Sequence, residues 1–246
     1  MTGRRKLYTP RFFKNQMDSS RRSAAAVVPL LQSIVRPCSV IDVGCGAGTW
    51  LSQFVECGVM DVIGIDGAYV RDDLLQIPRD HFMPCDLSRP LPISRSFDLA
   101  ICLEVAEHLP EARAAGLVAD LVSLAPVILF SSAVPEQGGI GHINEQWPEY
   151  WESLFRSHNY QCLDCIRPLV WHDARVDPWY RQNLLLFVRK DQVARYGQMQ
   201  SAMPLSVVHP SVFRGRVRPS PRLLFYALFR SCWAMLSGGI QSRPSS

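Results

Sequence analysis

The chain has 246 residues, of which 48% are hydrophobic and 20% charged, with a formal net charge of +4. This composition excludes an intrinsically disordered chain, and the length suffices for one large α/β domain with extensions. Eight cysteines without framework spacing predict buried free thiols in a reducing, cytoplasmic compartment. The sequence has neither a secretory signal pattern nor an apolar run of transmembrane length, which agrees with that location.

Charge is unevenly distributed along the chain. Residues 1–36 carry a net charge of +7, residues 37–190 carry −9, and residues 191–246 carry +6. We predict three regions with these bounds: a basic lead-in with a capping helix, an acidic core, and a Pro/Arg-rich tail. An acidic core suits a cationic ligand. The basic ends either favour an anionic partner or are solvated arginines on flexible segments.

The first predicted element is a helix in the basic lead-in. Asp18 or Ser19 is expected to cap it, and apolar residues at helical spacing continue to about Val35. The aromatic residues Tyr8, Phe12 and Phe13 precede this predicted helix.

A glycine turn follows the first predicted strand, an apolar, β-branched run that ends in Asp42. The turn reads G-x-G-x-G, with Cys45 as its second residue and Gly44, Gly46 and Gly48 as its glycines. A strand, a glycine turn and a following helix let the backbone approach a nucleotide-like ligand closely. Because the acid at this turn would repel a pyrophosphate, the pattern favours a cationic ligand without phosphate.

Acidic residues also end the next predicted strands. Asp66, followed by Gly67, lies about 20 residues past the turn, where nucleotide folds place a carboxylate on ribose hydroxyls. Asp86, followed by Leu87, ends a weaker strand. A fourth strand, residues 97–103, runs into an E-x-x-E-H motif. Taken singly, each acid could be a helix cap or a turn residue, whereas the ordered set is much more specific.

This ordered set resembles the class I, Rossmann-like, S-adenosylmethionine (SAM)-dependent methyltransferases over roughly residues 8–190. The resemblance implies a doubly wound α/β fold, with a mostly parallel seven-stranded sheet, helices on both faces and SAM as the cofactor. SAM carries a ribose, an ammonium and a sulfonium but no phosphate, in agreement with the acid at the glycine turn.

The resemblance also assigns roles within the SAM site. Residues 42–48, with Cys45 between the glycines, form the first motif. Asp66 with Gly67 holds the ribose, and Asp86 with Leu87 flanks the adenine. The segment from Glu104 to His108 lies under the methionine end. The leading helix closes over SAM, so that its aromatic residues either shield the sulfonium or pack the helix onto the sheet.

Beyond the fourth strand, helices and strands alternate as in a parallel sheet. Helices are predicted over 111–125 and 148–158, and strands over 126–131, 160–166 and 184–189. The resemblance implies that the last strand is antiparallel. Cys162 and Cys165 would point to opposite faces of a strand, so neither zinc nor another metal is expected there or elsewhere.

A long polar loop, residues 132–147, follows the fifth strand at the edge where substrates bind. His108 and His142 are the candidate general bases for a hydroxyl acceptor. The alternative for His108 is a hydrogen bond that holds the loop, and the alternative for His142 is a surface imidazole of the loop. Glu145 is a candidate partner of either histidine or a substrate ligand, and the polar cluster at 179–183 is expected to form the opposite wall.

The predicted activity is transfer of a methyl group (EC 2.1.1 class). Methyltransferases that act on amide-like nitrogens usually carry an N/D-P-P-Y/F turn after strand four, and its absence here favours oxygen or carbon of a small molecule. The polar loop resembles a subgroup of bacterial-type methyltransferases, and this resemblance suggests a small-molecule or carbohydrate-like acceptor. Oxygen is the predicted methylated atom. The alternatives are a non-catalytic binding or assembly module and an RNA methyltransferase. The acidic core and the lack of a visible RNA-binding module argue against nucleic acid.

The tail contains an apolar segment, residues 222–236, with a polar stripe of Arg222, Tyr226 and Arg230 at helical spacing. Such a helix either lies on a membrane surface or docks on the chain's own core or another subunit.

Overall fold

A seven-stranded sheet forms the centre of the computed structural model, which describes residues 10–197 and 204–217. Its strands are β1 (Ser39–Val43), β2 (Asp61–Asp66), β3 (Phe82–Pro84), β4 (Leu99–Leu103), β5 (Val127–Ser131), β6 (Tyr160–Leu163) and β7 (Leu185–Arg189). They are arranged in the order β3-β2-β1-β4-β5-β7-β6. The pairs among the first five strands are parallel, and β7 is antiparallel to both β5 and β6. The predicted sheet and its antiparallel last strand are confirmed.

The helices that accompany the sheet either precede its first strand or connect successive strands. They are α1 (Pro10–Ile34), α2 (Thr49–Glu56), α3 (Ala114–Leu124), α4 (Pro148–Ser157), α5 (Arg167–Val170) and α6 (Pro178–Asn183). The strand order reverses between β1 and β4, because the chain returns to the centre of the sheet after β3. Ligands of open α/β sheets bind at such a reversal, beyond the carboxyl ends of the strands. Residues 44–48 and 104–108 both start at this edge.

Two apolar cores cover the faces of the sheet. Alternation along β1 directs Val40 into one core, with Phe54 of α2, and Ile41 into the other, with Leu117 of α3. Phe155 of α4 joins the second core and is fully buried. Burying one such side chain contributes about 1.5–3 kcal/mol, so these contacts hold the strand ends in place.

The leading helix begins earlier than predicted. It starts at Pro10, a residue suited to a first helical turn, and not at Asp18 or Ser19. Instead of capping the helix, the hydroxyl of Ser19 donates a hydrogen bond to Asp177, and Ser23 accepts one from the backbone N–H of Asp177 at 3.0 Å. A partner 158 residues away in the sequence therefore decides the role of Ser19.

Two further predictions about the C-terminal half of the core need correction. The sixth strand ends at Leu163, so Cys165 follows it and is not part of a strand. Burial raises the pKa of Cys162 to about 12 and that of Cys165 to about 11. The polar cluster at 179–183 belongs to α6 rather than to an extended entry into β7.

All cysteines of the described residues are free thiols, in keeping with the predicted reducing compartment, and the cytoplasmic location stays a prediction. The chain divides into two compact units between Val207 and Val208. The described part of the second unit contains α7 (Pro210–Val217). The apolar segment 222–236 and Tyr8 lie outside the described residues. Within the part that the structure describes, no helix combines the length and the apolar character needed to cross a bilayer.

Candidate functional site

The glycine turn between β1 and α2 adopts backbone conformations that side chains oppose. Gly44, Gly46 and Gly48 have φ angles of +88°, +54° and +79°. A Cβ atom on Gly44 would lie 2.3 Å from Cγ2 of Val105, so this glycine permits close packing against the segment after β4. A Cβ atom on Gly46 would meet nothing within 4 Å, so its backbone borders open space. The turn therefore exposes backbone to a ligand at its middle glycine.

Asp66, at the end of β2, is tied to this turn. Its Oδ2 atom accepts a hydrogen bond from the backbone N–H of Gly46 at 2.7 Å, and its Oδ1 atom accepts one from that of Gly67 at 2.6 Å. The hydroxyl of Tyr69 also donates to Oδ1. Burial raises the pKa of Asp66, and these three hydrogen bonds oppose that rise. The carboxylate is thus held in one orientation at the edge of the sheet.

Asp42 lies beside Asp66 and is only 3% exposed. Burial raises the pKa of Asp42 well above its usual value, and the charge of Asp66 raises it further. None of the ion pairs among the described residues involves either acid. Burial also raises the pKa of the Cys45 thiol, and both acids add to that rise. The pair of carboxylates lacks a compensating cation and is suited to bind one.

The third strand ends at Pro84 and not at Asp86 as predicted, so Asp86 and Leu87 lie in the turn that follows β3. Leu87 is buried, whereas the Asp86 carboxylate is exposed and accepts hydrogen bonds from the backbone N–H and the hydroxyl of Ser88, at 3.0 and 2.6 Å. These bonds lower the pKa of Asp86. The side chain therefore stabilises its own turn, and a role beside adenine stays a prediction.

Glu104 directly follows β4 and has a φ angle of +55°, which is uncommon for a residue with a side chain. Its backbone N–H donates to the carbonyl of Ser131 at 3.0 Å, which anchors the conformation. Asn183 donates to Oε1 of Glu104 at 3.1 Å, and Gln137 donates to Oε2 at 3.2 Å. Burial raises the pKa of Glu104, and these amide bonds lower it. Helix α6 and the loop after β5 thereby meet at one carboxylate.

The loop after β5 is held against the segment after β4. The backbone N–H groups of Ile143 and Asn144 both donate to the carbonyl of Glu107, at 2.8 and 3.1 Å. The Glu107 side chain is fully buried, and its Oε2 atom accepts a hydrogen bond from Ser132 at 3.1 Å. Both the start of the loop, at Ser132, and its later part, at Ile143 and Asn144, are therefore hydrogen bonded to Glu107 after β4.

The two predicted histidines lie next to each other. The ring centroids of His108 and His142 are 4.8 Å apart, with an angle of 85° between the ring planes. Nδ1 of His142 is 2.8 Å from Oε1 of Glu145, and Nδ1 of His108 is 3.3 Å from the carbonyl oxygen of Gly141. Glu145 also accepts the backbone N–H groups of residues 136 and 138, at 2.9 and 2.8 Å. His142 is therefore held between Glu145 and His108, and its role as a base stays a prediction.

The structure therefore gathers the predicted site residues into two groups. The first surrounds the glycine turn and the end of β2, and the second surrounds the ends of β4 and β5. Glu107 was recognised only as part of its motif, Gln137 only as part of the polar loop, and Asn183 only as part of the polar cluster at 179–183. The sequence also predicted no metal ligands, yet side-chain ligand atoms of Glu107, His108 and His142 lie within 4.8 Å of one another. The predicted roles in SAM binding and catalysis stay predictions.

Part of the chain matches a known protein family. A family model described as a methyltransferase domain matches residues 13–132. Sequence comparison with curated proteins finds no match.

Solved structures share the fold at low sequence identity. Magnesium protoporphyrin IX methyltransferase from Synechocystis PCC 6803 with bound SAM is 19% identical, with a TM-score of 0.51 over 70% of this chain and 80% of that chain. The SAM-bound amino pentose methyltransferase CalS10 from Micromonospora echinaspora is 16% identical, with a TM-score of 0.52 over 74% and 98%. DesVI from Streptomyces venezuelae is 15% identical, with a TM-score of 0.52 over 76% and 99%. Residues 13–132 thus match a methyltransferase domain, and the chain has the fold of the class I, SAM-dependent methyltransferases, as its motifs predicted.

Proposed function

We propose that the chain transfers a methyl group from SAM to a hydroxyl oxygen of a small-molecule or carbohydrate-like acceptor. The single observation that carries the choice of a hydroxyl is the hydrogen-bonded pair of His142 and Glu145, with 2.8 Å between Nδ1 and Oε1, at the acceptor edge of the sheet. The amino pentose methyltransferase among the similar structures is in keeping with a carbohydrate-like acceptor.

The residues around the glycine turn fit SAM. The open space at Gly46 allows a ligand to approach the backbone, and Asp66 presents carboxylate oxygens beside it. Asp66 would accept hydrogen bonds from the ribose hydroxyls, where the Tyr69 hydroxyl donates in the ligand-free chain. The buried Asp42 carboxylate, which has no ion-pair partner among the described residues, would attract the positive charge of the ligand.

When bound, SAM supplies a methyl group on a sulfonium, whose departing sulfur becomes a neutral thioether. The protein mainly has to orient the acceptor and exclude water. Glu104, which Asn183 and Gln137 hold, and the loop that is hydrogen bonded to the Glu107 carbonyl both lie beyond the end of β4, and these groups would orient the acceptor.

The proton of the acceptor hydroxyl must leave during transfer. Because Glu145 accepts the Nδ1 proton of His142, a neutral His142 carries its lone pair on Nε2, where it can take that proton. Glu145 would then stabilise the resulting imidazolium. The neighbouring His108, whose Nδ1 contacts the Gly141 carbonyl, is the second candidate for this role.

The test combines SAM binding with a screen of hydroxylated acceptors. Calorimetric titration should show that SAM binds both the wild-type chain and His142→Gln with similar affinity. Mass spectrometry should detect an added methyl group on an acceptor, and His142→Gln should lower its rate of formation by about 10²- to 10⁴-fold. The variant His158→Gln, at an exposed histidine, is the control. Undiminished transfer by His142→Gln would contradict the assigned role, and a methylated nitrogen or carbon would contradict the choice of oxygen.

A further inference from the structure

A cluster of three side chains lies where the loop after β5 meets the end of β4. Glu107, His108 and His142 each offer a ligand atom, and these atoms lie within 4.8 Å of one another. Glu107 and His108 come from one short turn, whereas His142 comes from the loop that hydrogen bonds to the Glu107 carbonyl. The fold therefore assembles the cluster from segments about 35 residues apart along the chain.

One oxygen of this cluster lacks a partner. The Glu107 side chain is fully buried, and its Oε1 atom has no hydrogen-bond partner, although Oε2 accepts a bond from Ser132. A buried carboxylate oxygen without a partner is costly, because the lost hydration is not replaced. A cation at Oε1 would replace that lost hydration.

The hydrogen bonds of the two imidazoles are of the kind that metal-binding histidines make. The Gly141 carbonyl can only accept a hydrogen bond, so Nδ1 of His108 carries the proton of that contact. The Glu145 carboxylate accepts from Nδ1 of His142 in the same way. In both neutral rings the lone pair is then on Nε2. Metal-binding histidines typically donate their other ring N–H to a carboxylate or a backbone carbonyl, and this pair has one of each.

We propose that Glu107, His108 and His142 bind a divalent first-row transition cation, of the Mn²⁺, Fe²⁺ or Zn²⁺ type. Two imidazole nitrogens and one carboxylate suit these ions better than Ca²⁺ or Mg²⁺, which prefer oxygen ligands throughout. Ligand atoms at about 2.1 Å from one ion are at most about 4.2 Å apart. The cluster thus needs to contract by about half an ångström, which rotation of the side chains can supply.

The cation site deepens the proposed function, and its role in the reaction rests on that function. The cation would supply positive charge that lowers the pKa of an acceptor hydroxyl, whose proton leaves to water. The oxygen then forms a bond to the methyl carbon while the carbon–sulfur bond breaks, and its electron pair stays on sulfur. His142 would in this case be a ligand and not the base, since both roles need its Nε2 lone pair. Binding the cation and acting as the general base are therefore mutually exclusive roles for Nε2 of His142, and either role would activate the acceptor hydroxyl.

Cation binding can be measured without any turnover. The full-length protein, freed of metal with a chelator, is titrated with Mn²⁺, and the paramagnetic resonance signal of free Mn²⁺ reports binding. We expect one bound Mn²⁺ per chain, with affinity at least tenfold lower in His142→Ala and in Glu107→Gln. The variants His158→Ala and His172→Ala, at exposed histidines, should bind as the wild type does.

Two additional measurements separate the possible outcomes. Co²⁺ added to the metal-free protein should give a visible absorption spectrum that His142→Ala abolishes. SAM titration into His142→Ala, whose change lies in a loop, checks that this variant is folded even if Glu107→Gln is not. Mn²⁺ binding that is absent, or equal in wild type and His142→Ala, would overturn the cation site. If methyl transfer then persists without metal, the cation site is wrong and the proposed function stands. If Mn²⁺ binds at this site but no hydroxyl acceptor is methylated, the cation site stands and the proposed function is wrong.

Discussion

Replacement of Asp66 by alanine tests the SAM site most directly. The Asp66 carboxylate accepts backbone hydrogen bonds from Gly46 and Gly67, at 2.7 and 2.6 Å, and borders the open side of the glycine turn. If two ribose hydroxyls donate to this carboxylate in the complex, the variant loses both bonds. It also loses the two bonds that hold the turn and the end of β2 together.

The expected magnitude follows from hydrogen bonds to a charged group. Each such bond contributes about 1.5–3 kcal/mol, and water that enters the vacated space replaces part of the loss. A net loss of about 2–4 kcal/mol corresponds to SAM affinity that is about 30- to 700-fold lower. The free energy of unfolding should change less than the SAM affinity. Burial of the Asp66 carboxylate is itself unfavourable, as its raised pKa indicates, and the variant no longer carries that cost.

The assay is calorimetric titration of SAM and of its demethylated product into wild type, Asp66→Ala and Asp61→Ala. Asp61 makes a good control because it starts the same strand at the opposite end, where it is exposed and pairs with Arg95. Thermal unfolding should show that both variants are folded. Affinity of Asp66→Ala within threefold of the wild type, in a folded protein, would refute the assignment of the SAM site to this end of the sheet.

Three further predictions concern the turn, pH and stability. Gly44→Ala should lower the free energy of unfolding, measured in urea, by about 1–3 kcal/mol, because the new Cβ would lie only 2.3 Å from Cγ2 of Val105. Gly46→Ala, whose Cβ would meet nothing within 4 Å, should mainly weaken SAM binding. Equal stability of the two variants would contradict this assignment. The folded-state pKa of Asp42 is raised above its ordinary value of 3.8, so the stability of the ligand-free chain should fall as pH rises from about 4 through that raised pKa. The increase in melting temperature caused by SAM should grow over the same range, and Asp42→Asn should remove this trend; a trend that persists in the variant would show another group to be responsible. Arg167→Met should lower the free energy of unfolding in urea by about 3–5 kcal/mol, because Asp164, 2.6 Å from the Arg167 guanidinium, is then left buried without its partner. The double variant with Asp164→Leu should recover most of this loss. A double variant that is as unstable as Arg167→Met would refute the stated cause.

The sequence by itself determined the class of the fold and the first half of the site. The strand that ends in Asp42, the glycines that follow it and the carboxylate of Asp66 were all recognised from local pattern and spacing. These features are predictable because they depend on neighbours along the chain: glycine adopts the positive φ angles of the turn with little strain, and parallel strands bring their carboxyl ends to one edge.

Helix starts and partners that depend on distant residues were not predictable in this way. Ser19 is of a residue type that is favoured at helix N-caps, yet it lies within α1 and donates a hydrogen bond to Asp177. Asn183 was noted as part of a polar cluster, but nothing in its vicinity indicates that it donates to Glu104. Such contacts link residues 79 or more positions apart, and only the packing of α6 and α1 against the sheet brings them together.

The second half of the site was decided by tertiary structure for the same reason. Glu107, His108 and His142 were visible as residue types, and the histidines were recognised as candidates. Their convergence depends on two backbone hydrogen bonds from the loop to the Glu107 carbonyl and on the orientation that Glu145 gives to His142. Local sequence specifies which chemical groups are available. The distances between them are set by loop docking, which depends on contacts that no local pattern encodes.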